Sequence, residues 1–128
     1  MDLENLYAEK KFHGWGAYCV SKLGNLLFAF ALARRLAGFG VTSNALHPGT
    51  VNTKMLQKAW GMIGQTVEEG AATSVYLASA PKLADTTWAY FINRDAARSF
   101  EQSRDRALQE KFWEISAEMV GLGAGHQN

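Results

Sequence analysis

The chain has 128 residues, enough for one domain that buries roughly two thirds of its unfolded surface. Its 13 basic and 12 acidic residues leave a formal net charge of +1 with no long basic run, which excludes a general electrostatic pull toward nucleic acid or an anionic membrane. A single cysteine, Cys19, excludes an internal disulfide and fits a reducing compartment, so the cytoplasm is the default location.

The opening stretch MDLENLYAEKK carries acids where a signal peptide carries bases and has no apolar core, so no targeting segment is expected there. Residues 17–37 predict a long helix closed by Gly38 and Gly40. Leu23, Leu26, Leu27, Phe28, Phe30, Leu32 and Leu36 cover most of that cylinder, so the helix must be covered on two sides. Its longest unbroken apolar run, LLFAFALA, is far short of the ~20 residues of a membrane span and is closed by Arg34 and Arg35; no span is expected. Residues 41–46 predict a short strand, broken by Pro48 and Gly49 in HPGTVNT. A loop or short helix follows over 55–64. Thr66 and Glu69 then form a capping-box pattern that starts a helix over 67–80. WAYFI at 88–92 is an aromatic strand bounded by Asn93 and Asp95, residues 104–119 predict an amphipathic helix, and 123–128 read as a flexible tail on a domain of residues 1–122. This order of elements suggests an α/β protein with parallel strands. Two strands do not make the core of a parallel sheet, which is buried on both faces and has several strands, so the pattern reads as the end of a larger domain.

Within AYCVSKLGN, Tyr18 and Lys22 lie four residues apart and so share a helix face. An ammonium near a phenol favours the phenolate and lowers a pKa that starts near ~10, which makes such a tyrosine a usable acid or base near neutrality. The spacing alone does not choose between that role and ordinary surface packing, because Tyr7 and Lys11 repeat it in a polar segment that reads as a solvated turn.

Taken together, GWGAYCVSKLGNLLFAFALARRL and the following VTSNALHPGTVNT resemble the carboxy-terminal half of the short-chain dehydrogenase/reductases, and within them the retinol-dehydrogenase-like and WW-domain-linked branch. The resemblance implies the carboxy-terminal portion of a doubly wound Rossmann-type sheet, about two parallel strands with flanking helices, its amino-terminal half missing. It implies NAD or NADP as cofactor and no metal. Tyr18 becomes the general acid or base and Lys22 its partner, which also hydrogen-bonds the nicotinamide ribose. Pro48, Gly49, Val51 and Thr53 become the nicotinamide-contacting turn at the carboxyl end of a strand, where open α/β sheets bind ligands. Ser21 and Asn25 match family positions without being assigned catalysis, and His47 is expected to pack against or hydrogen-bond the turn. Residues 54–65 correspond to the substrate loop, with Met55, Leu56, Trp60, Met62 and Ile63 as an apolar wall for a small lipophilic alcohol or ketone.

Other parts of the family pattern do not occur in these residues. The glycine-rich turn that receives a pyrophosphate has no counterpart, since GFG at Gly38 follows a helix and the glycines from Gly121 onward lie in the tail. The family's catalytic serine and the asparagine of its proton relay fall upstream, and Thr87, Trp88 or Ala89 stands where a glycine usually precedes the aromatic strand. The resulting expectation is a portion of an NAD(P)-dependent oxidoreductase, inactive in isolation. One alternative is a non-catalytic truncated product that associates with a full-length relative, or with itself, through the helix face at 26–36. Another is a rebuilt small domain with an unrelated activity.

Overall fold

The computed structural model describes residues 1–122, and the expected tail at 123–128 lies outside the described residues. Helix α1 (Gly14–Arg35) is followed by β1 (Ala45–His47), α2 (Lys54–Trp60), α3 (Val67–Ser79), β2 (Tyr90–Ile92), β3 (Asp95–Ala97) and α4 (Arg106–Met119). It is a helix-rich α/β arrangement with a three-stranded mixed sheet in the order β1-β2-β3. The two expected strands pair in parallel, with Ala45, Leu46 and His47 opposite Tyr90, Phe91 and Ile92.

Helix α1 starts three residues before the sequence reading because His13 caps it: the Nδ1 atom accepts from the Gly16 N–H at 3.2 Å. It packs against α4, β1 and the 3-10 turn Glu101–Arg104, and with Phe91 of the central strand its Leu26, Leu27, Phe30, Ala31 and Ala33 form the buried apolar core. The face at 26–36 expected to meet another chain is therefore largely covered by its own. Gly24 lets α4 approach closely, since a Cβ there would stand 2.9 Å from Phe112 Cζ. By length and composition α1 could cross a membrane, with a mean hydropathy of 1.4 over 18 residues, 39% of them buried inside the chain. Core helices reach the same length and mean hydropathy, and α1 packs Leu26, Leu27, Phe30, Ala31 and Ala33 inside this chain.

Charged groups clamp the end of α1 to α4. Arg34 Nη2 and Arg35 Nη2 each donate to one oxygen of Glu110 at 2.6 Å, and Arg34 also donates to Gln109. The hydrogen bonds from Arg35 and then Arg34 hold the Glu110 carboxyl down to about 2, against a smaller opposing effect of burial. The Arg35 guanidinium lies 4.1 Å above the Trp113 ring, which stacks on Phe28 at 5.3 Å.

The strands are shorter than expected for local reasons. Asn44 spends its side chain on the neighbouring chain segment, donating to Thr86 O at 2.6 Å and accepting from the Ala89 N–H at 3.0 Å. Trp88 has φ 59°, a left-handed conformation that ends strand geometry before Tyr90. That is the neighbourhood in which the sequence departs from the family's glycine, and the backbone there adopts the conformation glycine favours. Strand β3, antiparallel to β2, was not foreseen: the connecting Asn93 and Arg94 both have positive φ (50° and 68°), as a tight hairpin requires, but Asn-Arg lacks the glycine that announces such a turn. The capping box is present, with Thr66 Oγ1 accepting from the Glu69 N–H at 3.1 Å and Glu69 Oε2 accepting from the Thr66 N–H at 2.8 Å. Asp105 caps α4 two residues later than expected, because residues 101–104 form the 3-10 turn.

Candidate active site

Tyr18 lies in the second turn of α1 and Lys22 one turn further along the same face. The Lys22 ammonium sits over the tyrosine ring, with Nζ 5.4 Å from the centroid, in a cation–π arrangement. Trp60, the last residue of α2, meets the same ring edge-on at 5.8 Å and 70°. A residue the sequence reading did not single out completes the group: Trp15 stacks on Tyr18 at 5.5 Å and 21°, and meets Trp60 at 6.5 Å. The signal for it was the three-residue spacing of Trp15 and Tyr18 in GWGAY, which places neighbours on one helix face. All three rings are open to solvent, Trp15 at 58%, Trp60 at 43% and Tyr18 at 37%, so a ligand can reach the phenol without displacing core.

The other candidates divide into those drawn into the turn and those left outside. Ser21 Oγ donates to the Tyr18 carbonyl at 2.7 Å, a bond within the helix. Asn25 lines a shallow groove of about 380 Å³ together with Tyr7, Phe28, Phe112 and Met119. Met55, Met62 and Ile63 are exposed and Leu56 is half-buried, so of the expected apolar wall only Trp60 makes an aromatic contact with the tyrosine.

The turn after β1 is tightly fastened. Gly49 has φ 83°, and its N–H donates to His47 Nδ1 at 2.7 Å. Gln65 Nε2 donates to the Pro48 carbonyl. Gln65 also pairs through its backbone, its N–H donating to Thr50 O at 2.9 Å and its carbonyl accepting from the Asn52 N–H at 2.8 Å. In such a parallel bridge the N–H and C=O of Val51 point away from Gln65, and neither has a protein partner among the described residues. Thr53 closes the turn as the cap of α2, its Oγ1 accepting from the Leu56 N–H at 3.2 Å. An adjacent free donor and acceptor on Val51 match a primary carboxamide such as that of nicotinamide, so these residues fit the nicotinamide end of a dinucleotide.

A family model for short chain dehydrogenases matches residues 5–63. Retinol dehydrogenase 11 of Mus musculus is 35% identical over 127 residues, taking in 92% of this chain and 40% of that protein. Human retinol dehydrogenase 14 is 36% identical over 136 residues, 95% of this chain and 40% of its own length, and human retinol dehydrogenase 13 is 34% identical over 140 residues, 97% and 42%. The chain belongs to the short-chain dehydrogenase/reductase family. Its relatives put it in the retinol-dehydrogenase-like branch, and it spans about 40% of the length of those relatives.

Proposed function

We propose that this chain supplies the proton-handling and nicotinamide-facing part of an NAD- or NADP-dependent oxidoreductase for small lipophilic alcohols and their carbonyl products. The supporting observation is the exposed cluster on α1 and α2, with Lys22 and Trp60 both packed on the Tyr18 ring. A bound nicotinamide supplies or takes up the hydride, which leaves the protein one proton to manage. The Tyr18 phenol gives that proton to the carbonyl oxygen in reduction and takes it from the hydroxyl in oxidation. Lys22 brings a positive charge and three N–H donors to the same helix face. The Val51 N–H and C=O hold the carboxamide, on a turn shaped by Pro48 and Gly49 and closed by Thr53. Trp60, with Met55 and Leu56 earlier on α2, offers the substrate an apolar surface that excludes water when covered.

The names of the relatives make retinol the first alcohol to test. Hydride transfer demands near-attack placement of cofactor and substrate, and an error of ~1 Å can cost roughly a hundredfold in rate. No glycine-rich pyrophosphate turn lies within these 128 residues, so dinucleotide anchoring falls to residues outside them. Association through residues 26–36 has less support, because Leu26, Leu27 and Phe30 are already buried within the chain. The test is to fuse the chain to the amino-terminal portion of human retinol dehydrogenase 14. The chimera is expected to turn over retinol or retinal with a nicotinamide cofactor while the 128 residues alone do not. A folded chimera without turnover, or efficient turnover by the chain alone, would contradict the proposal.

A further inference from the structure

Gln65 stands outside the motif residues, at the far end of the substrate loop and immediately before the cap of α3, yet three of its polar groups are committed to the turn after β1. Its side-chain amide donates to Pro48 O, its N–H donates to Thr50 O and its carbonyl accepts from the Asn52 N–H. Glycines allow this close approach. A Cβ on Gly49 would collide with the Gln65 amide, one on Gly64 with the Thr50 carbonyl, and one on Gly70 with the Val51 side chain. Three glycines thus bring the end of the loop and the first turn of α3 against the turn from one side. The consequence falls on Val51, whose flanking residues are fixed by Gln65 while its own N–H and C=O are left free on the other edge.

We infer that Gln65 is the positioning residue of the carboxamide-binding turn: it clamps Thr50 and Asn52 by backbone and Pro48 by side chain, so that the Val51 donor and acceptor are held ready for a primary carboxamide. The inference rests on the proposed function and extends it to a residue remote from the site in sequence. Preorganised polar groups bind more tightly than groups that must be ordered by the ligand, so loosening this clamp weakens the cofactor and spares the alcohol.

Two variants test it in the chimera with human retinol dehydrogenase 14, by direct titration with the reduced dinucleotide and by KM for retinol. Gln65→Ala keeps the backbone bonds and removes the side-chain bond; it should raise the dinucleotide Kd about tenfold and change the retinol KM less than about twofold. Gln65→Glu keeps the shape, but at neutral pH its carboxylate faces the Pro48 carbonyl with no proton to donate. Relative to the unsubstituted chimera it should bind weakly at pH 7 and recover toward about pH 4.5, as the carboxyl gains a proton. In the 128-residue chain, amide exchange at Asn52 should be about fivefold faster in Gln65→Ala. An unchanged dinucleotide Kd in Gln65→Ala, or no relative recovery of Gln65→Glu at low pH, would overturn the inference while the proposed function stood. An unsubstituted chimera that binds no dinucleotide would overturn the proposed function instead, and the inference with it, even if Asn52 exchange still responded to Gln65.

Discussion

The two halves of α1 behave as different materials. From Gly24 to Arg35 the helix is core: it buries Leu26, Leu27, Phe30, Ala31 and Ala33, and its last turn is tied to α4 through Glu110. From Gly14 to Lys22 it buries nothing, and its side chains there are the rings and ammonium of the candidate site. The helices that follow the turn after β1 are equally light, since α2 has no buried residue and α3 buries only Gly70 and Thr73. One helix therefore joins a stable end to a chemically equipped end. The stable end can hold the geometry of Tyr18 without contributing any side chain to the reaction.

The sharpest way to break this division is to cut into the core half. Leu27 is fully buried, and Leu27→Ala should lower the unfolding free energy by about 3 kcal/mol in urea titration. Lys22→Ala, on the exposed half of the same helix, should shift it by no more than about 0.5 kcal/mol. Similar losses from both would mean that α1 is one structural unit with no division of labour. Thr66→Ala removes the capping box of α3 and should cost about 1 kcal/mol, measured in the same way.

A further small effect is pH-dependent and belongs to the clamp on α4. The Glu110 carboxyl is held to about 2 in the folded chain against 4.5 for the ordinary group, so folding favours its ionised form. Its contribution is fully present above about pH 4.5 and is lost as pH falls through about 2. Because the side chain is 37% exposed and screened by solvent, the contribution is at most about 1 kcal/mol. Glu110→Gln should accordingly lose less stability than the native chain between pH 4.5 and 2, as followed by acid titration of helical circular dichroism. Parallel losses would remove Glu110 from the clamp.

The sequence foretold elements with strong local signals. The capping box announced α3, the Tyr18-Lys22 spacing announced one helix face, and the apolar run from Leu26 announced a helix covered by neighbours. Features set by tertiary contact or unusual backbone were not legible. The hairpin at Asn93 and Arg94 has left-handed φ without glycine, and Trp88 does the same one strand earlier. The extra aromatic ring of Trp15 was visible as a spacing, but the edge-on contact that Trp60 of α2 makes with both rings is set by tertiary structure. Gln65 carries no motif, and its place shows only in its hydrogen bonds to Pro48, Thr50 and Asn52 and in the close packing around them. Met55, Met62 and Ile63 are exposed and Leu56 is half-buried, so the chain itself does not cover the apolar residues read as a substrate wall. Hydrophobic character alone does not say which side of a short loop will be covered.

The most direct measurement is the effect of Tyr18→Phe on the chimera, reading turnover and unfolding midpoint from the same preparation. A phenyl ring preserves the stack on Trp15 and the contact with Trp60 but cannot exchange a proton. The predicted result is loss of nicotinamide-dependent turnover by at least about a hundredfold, with an unfolding midpoint unchanged within error. Turnover within a few-fold of the unsubstituted chimera would contradict the role given to Tyr18, and a collapse of the midpoint would contradict the separation of chemistry from core along α1.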